Sequence, residues 1–236
     1  MKENAWKENL IVADADYVDR TAFDLIVNFE RMLERRVPQA DLARWLECLA
    51  LDGGAERAGD TGKTGNSGNS GNSGQSGNSG NTAPLPQTQV VLVYPNGKTR
   101  LENFVPGGLR DEIDGQAFSG PLGEFLLSAV EEPSAALSGG ADYLTDVVRL
   151  ACQQPEVHRI MVVVGESQYN KVRAMLLRLD NELAAQGSTP LLGQKRLTLF
   201  TMQTLPGGPF RQELLGYSLM AALGISGDEI TRKLGT

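Results

Sequence analysis

The chain has 236 residues, long enough for one sizeable α/β domain or two small ones, and is 41% hydrophobic and 22% charged, a balance ordinary for a soluble globular protein. A net charge of −7 and a pI near 4.9 argue against broad non-specific nucleic-acid binding, which depends on neutralising phosphates, but leave room for a local basic groove. Cys48 and Cys152 have no CxxC spacing and no histidine beside them, so neither a disulfide framework nor a zinc site is expected, and the single His158 excludes any mechanism that needs two.

Met1 to Asn9 is charged and runs straight into an apolar stretch, so no signal peptide is expected. No apolar run approaches the roughly 20 residues needed to span a bilayer. The expected compartment is the cytoplasm, with no membrane partner. Leu10 to Ala13 is a short apolar run that stops at Asp14, Asp16 and Asp19, the pattern of a buried parallel strand ending at the working edge of a sheet. Arg20 to Arg36 predicts the first helix, with Ala22, Ile26, Phe29 and Leu33 on one face. After Pro38, the residues Leu42, Trp45, Leu46 and Leu49 predict a second, stopped by Gly53-Gly54.

From residue 55 to 88 the composition changes, and Gly65 to Asn81 is a near-perfect run of Asn-Ser-Gly triplets. With nothing apolar to bury, this segment is expected to be a disordered insertion within a single domain spanning 1–236. Gln89 to Tyr94 predicts a strand, Pro95-Asn96-Gly97-Lys98 a tight turn, and Arg100 to Val105 a third strand, giving a hairpin or a strand pair. A Gly-rich irregular region leads to a short helix near Leu122 to Val130 and then a loop from Glu131 to Gly140. Asp142 to Gln153 predicts a helix, Arg159 to Val164 a central parallel strand, and Tyr169 to Gln186 a helix. Lys195 to Met202 predicts a strand, Arg211 to Leu223 a long helix, and Ser226-Gly227-Asp228-Glu229 a short capped segment. This alternation gives an α/β, three-layer, Rossmann-like domain with a mostly parallel sheet.

Two constellations could carry chemistry. Asp14, Asp16 and Glu166 end parallel strands, and Asp142 and Asp146 share a helix face at i and i+4. Carboxylates gathered at one edge repel unless a hard cation sits among them, so Asp14, Asp16, Asp142, Asp146 and Glu166 form a candidate Mg²⁺ or Mn²⁺ site, with Asp14, Asp16, Asp142 and Glu166 as catalytic candidates. The plainer alternative is that Asp16 and Asp19 cap the first helix and Asp142 its own. The other constellation is glycine-rich. Gly107-Gly108 with Arg110, and Gly207-Gly208 with Arg211, could offer backbone amides and a cation to a phosphate, although neither is a Walker A loop or a dinucleotide fingerprint and no nucleotide cofactor follows.

Strand–Asp14-x-Asp16–helix, then Gly-Ala-Asp142-Tyr-Leu-Thr-Asp146, then strand–Gly165-Glu166-Ser167-Gln168-Tyr169, resembles the layout of PIN/NYN-type ribonuclease domains. That resemblance implies a Rossmann-like fold and metal-dependent cleavage of RNA. The last motif departs from the family: Glu166 lengthens one acid and Gln168 replaces another, as in a degenerate member. The whole chain looks more like an uncharacterised bacterial protein family, which implies no activity. Asp14-x-Asp16-x-Val18 also resembles the haloacid-dehalogenase-type phosphatases, which would make Asp14 nucleophile, Asp16 general acid, Ser167 a phosphate ligand and Gly227-Asp228 the late acidic motif. The expectations are thus a metal-dependent ribonuclease or phosphodiesterase acting on RNA or another phosphate-containing ligand, a non-catalytic binding or scaffold module on the same fold, or a phosphatase. The sequence fixes no oligomeric state.

Overall fold

The computed structural model describes residues 6–56, 85–133 and 142–235. Most of the Asn-Ser-Gly insertion, and 134–140 of the expected loop before the middle helix, lie outside the described residues. The chain runs β1 (Asn9–Asp14), α1 (Ala15–Leu33), β2 (Ala40–Asp41), α2 (Leu42–Asp52), β3 (Gln87–Tyr94) and β4 (Phe104–Val105). A π-helical turn (Leu109–Ile113) precedes β5 (Ala117–Gly120), β6 (Gly123–Glu131), α3 (Tyr143–Gln153), β7 (Arg159–Val163) and α4 (Glu166–Ala185). Then come α5 (Leu191–Gln194), β8 (Arg196–Thr201), β9 (Arg211–Leu214), α6 (Leu215–Ala222) and α7 (Gly227–Leu234).

The main sheet has seven strands in the order β5-β6-β3-β1-β7-β8-β9, all parallel except β5. Numbered by their appearance in the chain, the six parallel strands stand 3-2-1-4-5-6, and the order reverses between β1 and β7. Leu10, Ile11, Val12 and Ala13 are all fully buried because β1 packs on both faces. Ile11 and Ala13 join a core with α1, α2 and α6, and Leu10 and Val12 one with α3 and α4. The apolar faces predicted for the first two helices lie in the first of these cores, with Trp45 edge-on to Phe104 at 5.5 Å.

Four expectations are corrected. The hairpin after Tyr94 does not form: only Phe104–Val105 is strand, and it pairs in parallel with Ala40–Asp41 in a separate two-stranded sheet. The expected helix near Leu122 to Val130 is β6, because this segment covers β3 on one side and β5 on the other. Arg211–Leu214 is an edge strand, so the last long helix is shortened to α6. The insertion ends earlier than residue 88, since Gln87 and Thr88 already pair with Glu124 and Phe125.

The turn into β6 is tight. Gly123 has φ +110°, a Cβ there would stand 2.0 Å from the Pro86 carbonyl oxygen, and that oxygen accepts the Glu124 amide at 2.9 Å. Gly123→Ala is therefore expected to cost at least about 1–3 kcal/mol, because both the dihedral and the backbone contact are incompatible with a side chain. Thermal denaturation should show a fall of several degrees in Tm.

Candidate functional site

Because β1 is apolar from Leu10 to Ala13, the polar residue that follows, Asp14, stands at the carboxyl edge of the sheet and starts a helix at once. Asp14 is the N-cap of α1, its Oδ1 accepting the Tyr17 amide at 2.9 Å. Asp16 follows in the first turn. Val93, Tyr94 and Pro95 arrive from the end of β3, Glu132 follows β6, Leu144 comes from α3 and Gln168 from α4. Together these eight residues line a cavity of about 140 Å³. Beside it the ring of Tyr17 packs against Gly165, where a Cβ would meet it at 3.0 Å, so an aromatic side chain fills the gap between the ends of β1 and β7.

The predicted acids divide. Asp14 and Asp16 line the cavity. Asp142 caps α3 through the Thr145 amide at 3.0 Å, takes the Gln168 side-chain amide on the same oxygen, and has Lys171 Nζ 2.9 Å from its other oxygen. Asp146 pairs with Arg149 at 3.1 Å. Glu166 is exposed and meets Gln203 at 3.4 Å. Among the described residues, no three histidine, cysteine, aspartate or glutamate side chains are grouped so as to hold a metal ion.

Two acids that share α1 are held in opposite ways. Burial pushes the Asp14 carboxyl up, and the neighbouring Asp16 adds to the effect against the pull of the Tyr17 amide. Burial acts on Asp19 too, but Lys98 and the amides of Asn103 and Glu102 outweigh it and hold that carboxyl low. Asp19 is 3% exposed; it accepts Lys98 Nζ at 2.8 Å, Glu102 N at 3.1 Å and Asn103 N at 2.9 Å. Lys98 also reaches Asp16 at 3.3 Å, and Arg20 is 3.1 Å from the same carboxylate. Asp19 is thus a clamp on the 98–103 loop, and the first helix is capped by Asp14 where Asp16 and Asp19 were expected. Burial also outweighed by Lys171, Thr145 and Gln168 leaves Asp142 low.

Sequence reasoning missed Glu132, Lys98 and the Asp19 hub. Lys98 was visible as the basic residue closing the Pro95-Asn96-Gly97 turn after a strand, the one signal that a cation would sit at this edge. Glu132 had none.

The two glycine loops meet different partners. The amides of Gly107 and Gly108 both donate to Glu112 Oε2, at 3.1 and 2.6 Å, so the chain supplies its own anion there. Arg110 bonds Tyr94 and Glu131 at the carboxyl ends of β3 and β6, whereas Arg211 opens β9 and bonds Glu213. The two arginines therefore stand at opposite edges. Gly207 and Gly208 lead into a strand, and the Gly207 carbonyl accepts Arg173 Nε at 2.7 Å. The late acid of a phosphatase is misplaced as well. Glu229, next to Asp228, pairs with Arg35 just past the far end of α1, 2.6 Å away. A 19-residue helix places that end about 28 Å from Asp14. Cys152 is buried, which pushes its thiol to about 12, so it is no nucleophile.

A family model described as a family of unknown function, DUF6621, matches residues 3–64 and 78–230. The chain belongs to that family. No curated protein and no solved structure matches it. Among the described residues, no helix of this DUF6621 member is long and apolar enough to cross a membrane.

The contrast between Asp14 and Asp19 sets two expectations of opposite sign for this DUF6621 chain. Asp19→Ala leaves the Glu102 and Asn103 amides without their acceptor and Lys98 with Asp16 alone, and should cost about 3–5 kcal/mol. Because the folded pKa of Asp19 is depressed, the stability it contributes is present above the ordinary carboxylate range and lost as pH falls through its folded value. Asp14→Asn should raise Tm by a few degrees at pH 7. Asparagine caps a helix as well as aspartate, and the folded state no longer carries a carboxylate that burial disfavours. Since the folded pKa of Asp14 is raised, that penalty develops as pH rises from the ordinary carboxylate value, and the advantage of the variant should vanish below it. Melting curves from pH 3 to 7 on both variants check the two signs.

Proposed function

We propose that this protein is a non-catalytic binding module on a three-layer Rossmann-like layout of the PIN/NYN kind, and that the cavity at the end of β1 receives a small cationic head group. What carries this reading is Gln168. Its side-chain amide donates to Asp142, at the position where the ribonuclease pattern would put an acid. A carboxylate there would repel Asp142 and need a divalent cation between them; an amide closes the contact with a hydrogen bond. Lys171 neutralises the other oxygen of Asp142, and Lys98 with Arg20 neutralises Asp16.

The remaining charge in the cavity belongs to Asp14, whose carboxylate is held by backbone amides of its own helix turn, and to Glu132; neither has an ion-pair partner among the described residues. Two acidic groups facing one small space repel phosphate and attract an ammonium or guanidinium. The volume of about 140 Å³ corresponds to roughly four or five waters at about 30 Å³ each, the size of a single head group rather than a nucleotide. A carboxylate that burial disfavours at Asp14, where asparagine would cap equally well, supports a binding role for that group.

The test is thermal unfolding with and without added cations, since a ligand that binds only the folded state raises its stability. Millimolar n-butylamine should raise the Tm of the natural protein, and Asp14→Asn should remove that rise. Millimolar Mn²⁺ should leave the natural protein unchanged. Gln168→Glu should lower Tm by placing a second carboxylate on Asp142, and Mn²⁺ should restore part of the loss in that variant alone. A Mn²⁺-dependent rise in the natural protein that Asp14→Asn abolishes would overturn this reading in favour of a metal-dependent phosphodiesterase or ribonuclease.

A further inference from the structure

The amino-terminal edge of the sheet holds a second cavity, far larger than the first, at about 460 Å³. Its floor is set by strand register. Asn9, Arg159 and Arg196 open β1, β7 and β8, and in the parallel ladder Asn9 stands opposite Arg159 and Arg159 opposite Arg196. In-register residues of neighbouring strands project from the same face, so the three side chains form one row. Gln194, His158, Glu8 and Glu56 are among the residues that form the walls.

Arg159 is the anomaly in this row. It is only 7% exposed, yet no carboxylate among the described residues stands within ion-pair distance of it. One guanidinium nitrogen donates to Asn9 Oδ1 at 2.8 Å, and the buried Nε has no acceptor among the described residues. Buried arginines are almost always paired, because an uncompensated charge and an unmet donor are both costly. Arg196, exposed and next in register, makes matters worse: burial first, then the neighbouring positive charge, depress the Arg159 guanidinium against the weaker pull of Glu56 and Glu8. The other buried cation of this edge is not in that position. Lys195 donates to the carbonyls of Gln154 and Val157, the latter at 2.6 Å, and so is satisfied by backbone.

We propose that this cavity is a binding site for a small oxyanion, a carboxylate or phosphate group, held between the Arg159 and Arg196 guanidinium groups. An oxyanion at that point relieves the repulsion between the two arginines and accepts from the planar forks that suit carboxylate and phosphate oxygens. The volume lies within the range of small-molecule sites. Glu8 and Glu56 oppose additional negative charge, so the site takes a singly headed anion rather than a polyphosphate. This site is separate from the cationic one at the carboxyl edge, on the far side of the sheet.

Calorimetric titration of the full chain with inorganic phosphate and with acetate tests the proposal, alongside melting curves in each salt against sodium chloride at equal ionic strength. The expected result is a saturable rise in Tm and a binding isotherm for at least one of the two anions, the stronger naming the head group. Arg196→Gln, at an exposed position that leaves the core intact, should weaken that binding at least tenfold. Arg159→Lys, which keeps the charge and loses the fork, should weaken it too. Phosphate also stabilises proteins without binding them, by exclusion from their surface. A rise that does not saturate, or one equal in size in Arg196→Gln, would mean an adventitious ion only and would overturn the assignment, as would the absence of any effect beyond chloride.

Discussion

The structure depends on one constraint: β1 is buried on both faces. A strand flanked by β3 and β7 and covered by helices above and below has no solvent side, so Leu10 to Ala13 must all be apolar. The charged residue that follows, Asp14, then marks where the strand ends. The same ladder fixes the register of β3 and β7, hence of β6 and β8 beyond them. Tyr94 and Gly165 are carried to the edge where Asp14 emerges, and Arg159 and Arg196 to the opposite one. Both proposed sites are consequences of where this four-residue apolar run begins and ends.

At the carboxyl edge, charge is disposed of by pairing. Asp19 shows how strongly: one buried carboxylate takes a lysine and two backbone amides, and thereby ties α1 to the 98–103 loop. Helix N-termini add to this. Asp14, Asp41 and Asp142 each cap a helix, where the orphan amides and the positive end of the macrodipole favour a negative group. Several acids can therefore stand at one edge of the sheet with no metal ion to hold them together. The acidic pattern that suggested a cation site in the sequence is, for Asp142 and Asp146, a pattern of caps and ion pairs.

What was legible in the sequence was whatever a single segment decides for itself. The doubly covered strands β1 and β7 announce themselves as apolar runs, and α2 as a stripe of Leu42, Trp45, Leu46 and Leu49. The cap at Ser226 is local chemistry and was read correctly. The segment that forms β6 was not legible. Leu122, Phe125, Leu126 and Val130 fall at i, i+3, i+4 and i+8, which fits a helix, and only pairing with β3 makes it a strand. The same holds for β4, whose partner Ala40–Asp41 lies more than sixty residues earlier. For the site, the type of residue was visible and its partner was not. That Asp142 would be met by Gln168 and Lys171 is a fact of how α3 and α4 pack, and no spacing encodes it.

The two edges differ in a way that follows from helix direction. In a sheet of parallel strands joined by helices, the helix N-termini gather at the carboxyl edge and the C-termini at the amino edge. The first supplies partial positive charge and the second partial negative charge. Acids at one edge and basic groups at the other are therefore the electrostatically expected arrangement, and most of these side chains need no functional explanation. Lys195, which meets the carbonyls that follow α3, is such a case. Arg159 is not: among the described residues its Nε finds neither a carbonyl nor a carboxylate, and its neighbour in register is another arginine. Asp14 is the counterpart at the other edge, a cap that asparagine could supply without the cost of a buried charge. Among the described residues, Asp14 and Arg159 are thus two groups that the helix dipoles and local pairing leave unexplained, and each lines a cavity.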